Sequence, residues 1–176
     1  MLEKSEQGTL WLSGASTSAF NTTLSNGYLV LEDDAALGTA TSDVTFRNNA
    51  FTHLLASGVR TINRNIINTG TGSTQTIGGL DAGAKIFSGN VNLSTRGMAL
   101  TAVSGGDTTF SGTISGAFGI TKTGTGTLVL SGINTLTVVL VTVGLSLGAC
   151  DYWRKPLSLA QLREGLERTL KRGSKA

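Results

Sequence analysis

Chemistry at a protein site needs a nucleophile beside a base, a pair of carboxylates, or a cluster of metal ligands. This chain of 176 residues is sparing with all three. His53 is its single histidine and Cys150 its single cysteine, far apart in sequence. A zinc-type site would need several carboxylates to join one of them, so His53 reads as a surface or loop histidine. Serines abound, but none sits in a Gly-x-Ser-x-Gly elbow, and no Ser/His/Asp triad is assigned. Asp43, Asp81 and Asp107 are the acids that a Ca²⁺ site or a paired acid/base site would draw on. They are isolated in sequence, and only stacking of successive segments could align two of them. Asp33-Asp34 reads as a solvated turn. Gly70 and Gly72, like Gly124 and Gly126, lack the third glycine of a dinucleotide fingerprint and read as turns. Asn21-Thr-Thr23 and Asn92-Leu-Ser94 match the glycosylation sequon, which matters only in a eukaryotic secretory route. The expectation is a chain with no catalytic, cofactor-binding or metal-ligating residues.

The elements that would carry any site are short strands. Glycine is at 24, proline at 1 and charged residues at 14%, while 39% hydrophobic content is too high for a disordered Gly/Ser tract. High Thr and Val with regular Gly reads as strands separated by tight turns. In Thr9-Leu-Trp-Leu-Ser, Leu10 and Leu12 point one way and Trp11 the other. Residues 28–32, 43–47, 60–63, 65–68, 75–78, 85–88, 90–93, 108–112 and 113–115 follow the same style. Asn26-Gly27, Gly78-Gly79 and Gly105-Gly106-Asp107 supply turn chemistry between them. The one proline is Pro156, and its absence from every earlier segment suits strands that must each donate N–H groups to a neighbour.

Charge is unevenly placed. Residues 1–150 hold seven Lys/Arg and eight Asp/Glu, whereas residues 151–176 hold seven and three. The near-neutral body gives little attraction for nucleic acid. A lone cysteine excludes an intrachain disulfide framework. The most apolar window, Leu136 to Ala149, is too short and too β-branched for a membrane span and reads as a buried strand. Met1-Leu-Glu-Lys-Ser-Glu6 lacks the basic start and apolar run of a signal peptide, so the chain as written is expected to stay in the cytoplasm.

Two internal echoes organise the body. Lys4-Ser-Glu-Gln-Gly-Thr-Leu-Trp-Leu-Ser-Gly14 returns as Lys122-Thr-Gly-Thr-Gly-Thr-Leu-Val-Leu-Ser-Gly132, at an offset of 118 residues without a gap. Ile86-Phe-Ser-Gly-Asn-Val91 returns as Thr109-Phe-Ser-Gly-Thr-Ile114, at an offset of 23. Self-similarity of this kind marks stacked repeats, and the shorter offset suits one coil of a parallel β-helix.

The stretch Gly112-Thr-Ile-Ser-Gly-Ala-Phe-Gly-Ile-Thr-Lys-Thr-Gly-Thr-Gly-Thr-Leu-Val-Leu-Ser-Gly-Ile-Asn-Thr135 resembles the autotransporter-associated β-strand repeat of bacterial passenger domains. Ala35-Ala-Leu-Gly-Thr-Ala40 and Ala56-Ser-Gly-Val-Arg-Thr-Ile-Asn-Arg-Asn-Ile-Ile67 are similar to stretches that follow one copy of it. The resemblance covers about residues 4–148 and implies a right-handed parallel β-helix displayed at, or released from, a Gram-negative cell surface. The chain departs from the family pattern after Asn134-Thr135, where Leu136-Thr-Val-Val-Leu-Val stands in place of an aromatic and a Gly-Gly turn. The family's export signal and barrel translocator are also missing from the chain as written.

From Gly148 the text changes. Gly148-Ala-Cys-Asp-Tyr-Trp-Arg-Lys-Pro-Leu157 resembles the end of a response-regulator receiver domain, in which Lys155 matches the lysine that contacts the phosphoryl group. No acidic cluster or doubly wound βα run precedes it. Ser158 and Gln161 form a capping box, Leu159, Leu162, Leu166 and Leu170 share one face, and Arg168, Lys171 and Arg172 suit the C-terminal end of a helix.

The reading is therefore an all-β chain: a right-handed parallel β-helix of about six coils over residues 1–148, then a tail, 149–176, with an amphipathic helix at about 158–172. The expected role is structural or adhesive, without a cofactor. The expected partner is a host or matrix surface, and open coil ends are expected to permit self-association. Two alternatives stay open: a carbohydrate-active β-helix resembling polysaccharide lyases, and a degenerate fusion with a receiver.

Overall fold

The computed structural model describes residues 1–47, 51–72 and 75–136. The expected tail and its helix at about 158–172, together with Cys150 and Lys155, lie outside the described residues.

Within them the chain forms β1 (Leu2–Lys4), β2 (Thr9–Leu12), β3 (Thr22–Leu24), β4 (Gly27–Leu31), β5 (Val44–Phe46), β6 (Thr52–Ala56), β7 (Arg60–Ile62), β8 (Ile66–Asn68) and β9 (Gln75–Gly79). There follow β10 (Gly83–Phe87), β11 (Val91–Leu93), β12 (Met98–Thr101), β13 (Gly106–Phe110), β14 (Ile114–Gly116), β15 (Ile120–Thr123), β16 (Thr127–Leu130) and β17 (Thr135–Leu136). They sort into three parallel sheets: sheet A, β1-β3-β5-β8-β11-β14-β17; sheet B, β2-β4-β6-β9-β12-β15; and sheet C, β7-β10-β13-β16. Each coil visits A and then B; from β7 onward it also visits C. The result is a parallel β-helix of about six coils.

Register measures the coil. Leu2 pairs with Thr22, Thr22 with Val44, Val44 with Ile66, Ile66 with Val91 and Val91 with Ile114. One coil is thus 20 to 25 residues. The shorter echo is one such step, since Phe87 pairs with Phe110 and Val91 with Ile114.

Alternation supplies the core. On sheet B, Leu10, Leu29, Leu54, Ile77 and Leu100 pair in succession. On sheet C the row is Ile62, Phe87, Phe110 and Leu130, and on sheet A it is Leu24, Phe46, Asn68 and Leu93. Inside these rows Leu29, Leu54, Ile77 and Phe46 have no exposed surface. Leu10, Leu12, Leu128 and Leu130, in the first and last of the described coils, are only partly buried against the core. Trp11 points outward at 48% exposure, as its place between two leucines requires.

The longer echo is not a vertical stack. Its first copy runs from β1 through a turn into β2, across the A–B corner; its second runs from β15 into β16, across the B–C corner. The repeated text encodes a strand–turn–strand corner rather than a place on one sheet. Both copies close the corner alike: Lys4 Nζ donates to Glu6 O, and Lys122 Nζ donates to Gly124 O at 2.6 Å. Gly27 (φ +78°) turns the chain into β4 in a conformation that other residues rarely adopt, and a Cβ there would meet Gly8 O at 2.6 Å.

Candidate functional site

The C–A corner is the most regularly built feature. After β10, β13 and β16 the chain reads Ser-Gly, and Gly89, Gly112 and Gly132 stand one above another. A Cβ on Gly132 would lie 2.0 Å from Gly112 O, one on Gly112 2.2 Å from Gly89 O, and one on Gly89 2.1 Å from Arg64 O. Beside this column runs an asparagine ladder. Asn90 N–H donates to Asn65 Oδ1, Thr113 N–H to Asn90 Oδ1, and Ile114 N–H to Asn134 Oδ1, each at 2.9 Å. The side chains replace the backbone acceptors that the corner pulls out of line. This is stacking chemistry, with no group placed to react.

Lys85 and Asn68, both buried, also serve as struts. Lys85 faces the interior between Arg60 and Thr108, with its side chain fully buried. Its Nζ donates to Asp81 Oδ1 at 2.6 Å, to Ala82 O at 2.7 Å, to Gly83 O at 3.2 Å and to Asp81 O. Asp81 in turn accepts from Ser57 Oγ at 2.6 Å and from Gly58 N–H at 2.9 Å, joining consecutive coils. Burial pushes the Asp81 carboxyl up, but the hydrogen bonds from Lys85, Ser57 and Gly58 and the Lys85 charge outweigh it and hold the group below the ordinary carboxylate range. Asn68 is fully buried between Phe46 and Leu93, its Oδ1 accepting from Gly70 N–H and its Nδ2 donating to Arg96 O and Gly97 O.

Arg64 lines a polar groove of about 490 Å³ with Asp34, Thr39, Thr41, Asn63 and Asn65. The groove lies where the second coil has no sheet C strand. Arg64 Nη1 donates to Leu37 O at 2.8 Å and Nη2 to Ser42 O at 2.7 Å, so most of the guanidinium is committed to holding the 37–42 loop. Burial lowers its pKa while nearby Asp43 opposes that.

The residues weighed from sequence are scattered. His53 is not a loop residue: it belongs to β6, half-buried on the outer face of sheet B, with its ring stacked on Tyr28 at 4.3 Å and 9°. Register explains this, since β4 pairs with β6 and sets Tyr28 beside His53. Desolvation by burial lowers the His53 pKa. Asp107 stacks beside Ala84 rather than Asp81, and exposed Asp43 precedes β5, so the three acids do not form a pair. Asp33-Asp34 sits in a turn, where Asp33 Oδ1 accepts from Ala35 N–H and Asp34 Oδ1 from Thr61 N–H. Gly70 and Gly72, and likewise Gly124 and Gly126, lie between strands. Among the described residues no three of His, Cys, Asp and Glu come together as metal ligands.

Sequence reasoning missed Lys85, Arg64 and Asn68. For Lys85 the signal was present: Phe87 is an inward residue, and period two places Lys85 inward as well. What these groups offer chemically is hydrogen bonding and charge neutralisation between coils. No family model, no curated protein and no solved structure matches the chain.

Proposed function

We propose that this chain is a non-catalytic scaffold: a structural or adhesive segment of a bacterial autotransporter passenger, working at the cell surface or released from it through the outer membrane. The observation that carries the reading is the parallel stacking of β1 to β17, in which sheets A and B run through all the described coils and sheet C joins them from β7 onward. The Thr-, Ser- and Asn-rich outer positions give a column with a hydrated surface and a dry centre. The likeness of residues 4–148 to passenger repeats supplies the cellular setting, with a host or matrix surface as partner. The test is solid-phase binding of the purified chain to immobilised matrix proteins and to epithelial cells, alongside digestion by proteinase K. Saturable binding by a protease-resistant core supports it. Rapid digestion with no binding to any surface removes it.

Self-association through coil ends belongs to the same proposal. The edges of β1 and β2, unpaired among the described residues, carry partly exposed Leu10 and Leu12 beside a hollow of about 470 Å³ lined by Met1, Trp11 and Phe20. Light scattering across a concentration series decides it, and a strict monomer at every concentration counts against it.

The polar groove lined by Asp34, Thr39, Thr41, Asn63 and Asn65 favours a second reading, a carbohydrate-active β-helix, because carboxylate, hydroxyl and amide groups hydrogen-bond sugar hydroxyls, while Arg64 holds the loop that shapes the groove. Cleavage of uronate polysaccharides in the presence of Ca²⁺ would establish it. No cleavage, with stability indifferent to chelator, dismisses it.

A further inference from the structure

Alternation leaves no acid, Lys or Arg at any outward position of β2, β4, β6, β9, β12 or β15, from Thr9 and Trp11 to Thr121 and Thr123. Sheet A carries Glu3 in its outward row, and sheet C carries Asp107. Exposed rings gather on the uncharged face. Among the described residues the exposed aromatic side chains are Trp11, Tyr28, Phe51 and Phe118, at 48%, 41%, 66% and 37%. Trp11 lies in β2, Tyr28 in β4, and Phe51 immediately precedes β6. Register fixes how two of these rings lie. Tyr28 pairs with His53 on one side and with Thr9 on the other. His53 takes one face of the Tyr28 ring, at 4.3 Å between centroids and 9° between planes. The other face looks toward Thr9, whose short side chain leaves it open. Trp11 pairs with Val30, so it stands diagonally across from Tyr28. Two residues along and one strand across separate their backbones by about 8 Å, the span of one ring-sized ligand. Outward Val30 and Leu55 are buried, so this face offers rings and hydroxyls rather than a broad apolar patch.

A ring face carries negative π density, on which weakly positive C–H hydrogens rest. A pyranose sugar presents such a C–H face, hydroxyls around its rim and no charge. Thr9 and Thr76, at the two ends of the row Thr9, Tyr28, His53, Thr76, supply hydroxyl partners. Burial lowers the His53 pKa, which keeps the stacked imidazole neutral at pH 7. We propose that the outer face of sheet B at Trp11 and Tyr28 is a binding site for neutral pyranose glycans, held by their C–H faces. It shares no residue with the polar groove beside Arg64 and performs no reaction. The inference rests on the adhesive reading above and names what the column grips: uncharged glycan, in place of protein or anionic polysaccharide.

The test uses the full chain with Trp153→Phe, which leaves Trp11 as its single tryptophan. Cellohexaose and chitohexaose are titrated as neutral probes and a heparin hexasaccharide as the charged one. Saturation by a neutral probe shifts Trp11 emission to the blue, and calorimetry returns the same Kd. Trp11→Ala and Tyr28→Ala each weaken that binding about tenfold or more, whereas Tyr28→Phe, which keeps the ring, weakens it by about twofold at most. Ile86→Ala, on the outer face of sheet C, leaves it unchanged. All four side chains stand outside the core, so the far-ultraviolet β signal is kept. Neutral-glycan binding that survives both Trp11→Ala and Tyr28→Ala overturns the inference, and so does preference for the heparin probe. Binding of immobilised matrix proteins with no saccharide binding overturns it while the adhesive reading stands. Binding to neither removes both.

Discussion

Phe87 and Phe110 occupy one interior row of sheet C, one coil apart, with ring centroids 5.0 Å apart, planes 11° from parallel and 1% exposure each. Truncating either to Ala removes a buried ring and leaves a void that the coils above and below cannot close, at a cost of about 3–5 kcal/mol. Phe→Leu is the gentler probe, keeping most of the volume at about 1–2 kcal/mol. Because the rings touch, each single change already forfeits their mutual contact, so the double variant costs less than the sum by about 0.5–1.5 kcal/mol. Phe46 sits on sheet A, two coils below Phe110, and a cycle between these two should be additive within about 0.5 kcal/mol. The assay is urea unfolding followed by circular dichroism for Phe87→Leu, Phe110→Leu and the pair, with Phe46→Leu as control. Additivity at 87/110, or equal coupling at 46/110, would refute the claim that residues one coil apart stack as neighbours.

Three further outcomes follow from the struts. The Asp81 carboxyl is held below its unfolded value, so its contribution is present above about pH 4 and lost as pH falls through the folded pKa; Asp81→Asn should lower the urea midpoint at pH 7 and lose less than wild type on acidification. His53 is lowered by burial, so its stabilising share is whole above about pH 6.5 and declines as pH falls from there through the folded pKa; His53→Phe should flatten that slope, read by thermal melts from pH 8 to 5. Gly112→Ala should destabilise by about 2–4 kcal/mol, because its Cβ would lie 2.2 Å from Gly89 O, while Gly14→Ala, with open space around it, should be near neutral by the same urea assay.

Much of the column was legible because its grammar is local. The Phe-Ser-Gly echo at residues 87–89 and 110–112 carries the coil length, since an inward aromatic followed by a corner must recur once per turn. Alternation in Thr9-Leu-Trp-Leu12 places each side chain correctly. The strands that escaped notice, Leu2–Lys4, Thr22–Leu24, Thr52–Ala56, Met98–Thr101 and Ile120–Thr123, mix polar with apolar residues, and pairing with neighbouring coils makes them strands. Lys85, Arg64 and Asn68 were hidden for a related reason. Arg64 and Asn68 are buried because carbonyl oxygens from neighbouring coils gather around them, and those partners are distant in sequence, whereas Lys85 is met by oxygens of its own turn, Asp81 to Gly83, which only the closed turn brings together. His53, read as a surface or loop histidine, stands on the outer face of a strand, and its stacking on Tyr28 was hidden because Tyr28 lies a full coil away.

The central claim is that successive segments climb one axis in equal steps. Outward residues on sheet A pair in the order Glu3, Thr23, Thr45, Ile67, Asn92 and Ser115. Pulsed electron paramagnetic resonance on spin labels at 3/67, 3/92 and 3/115, with Cys150→Ser, measures the climb. Backbone separations should rise through about 14, 19 and 24 Å, one strand spacing of about 4.8 Å per coil. Distances that fail to lengthen in that order, as in a closed barrel or a two-layer sandwich, would contradict the β-helix.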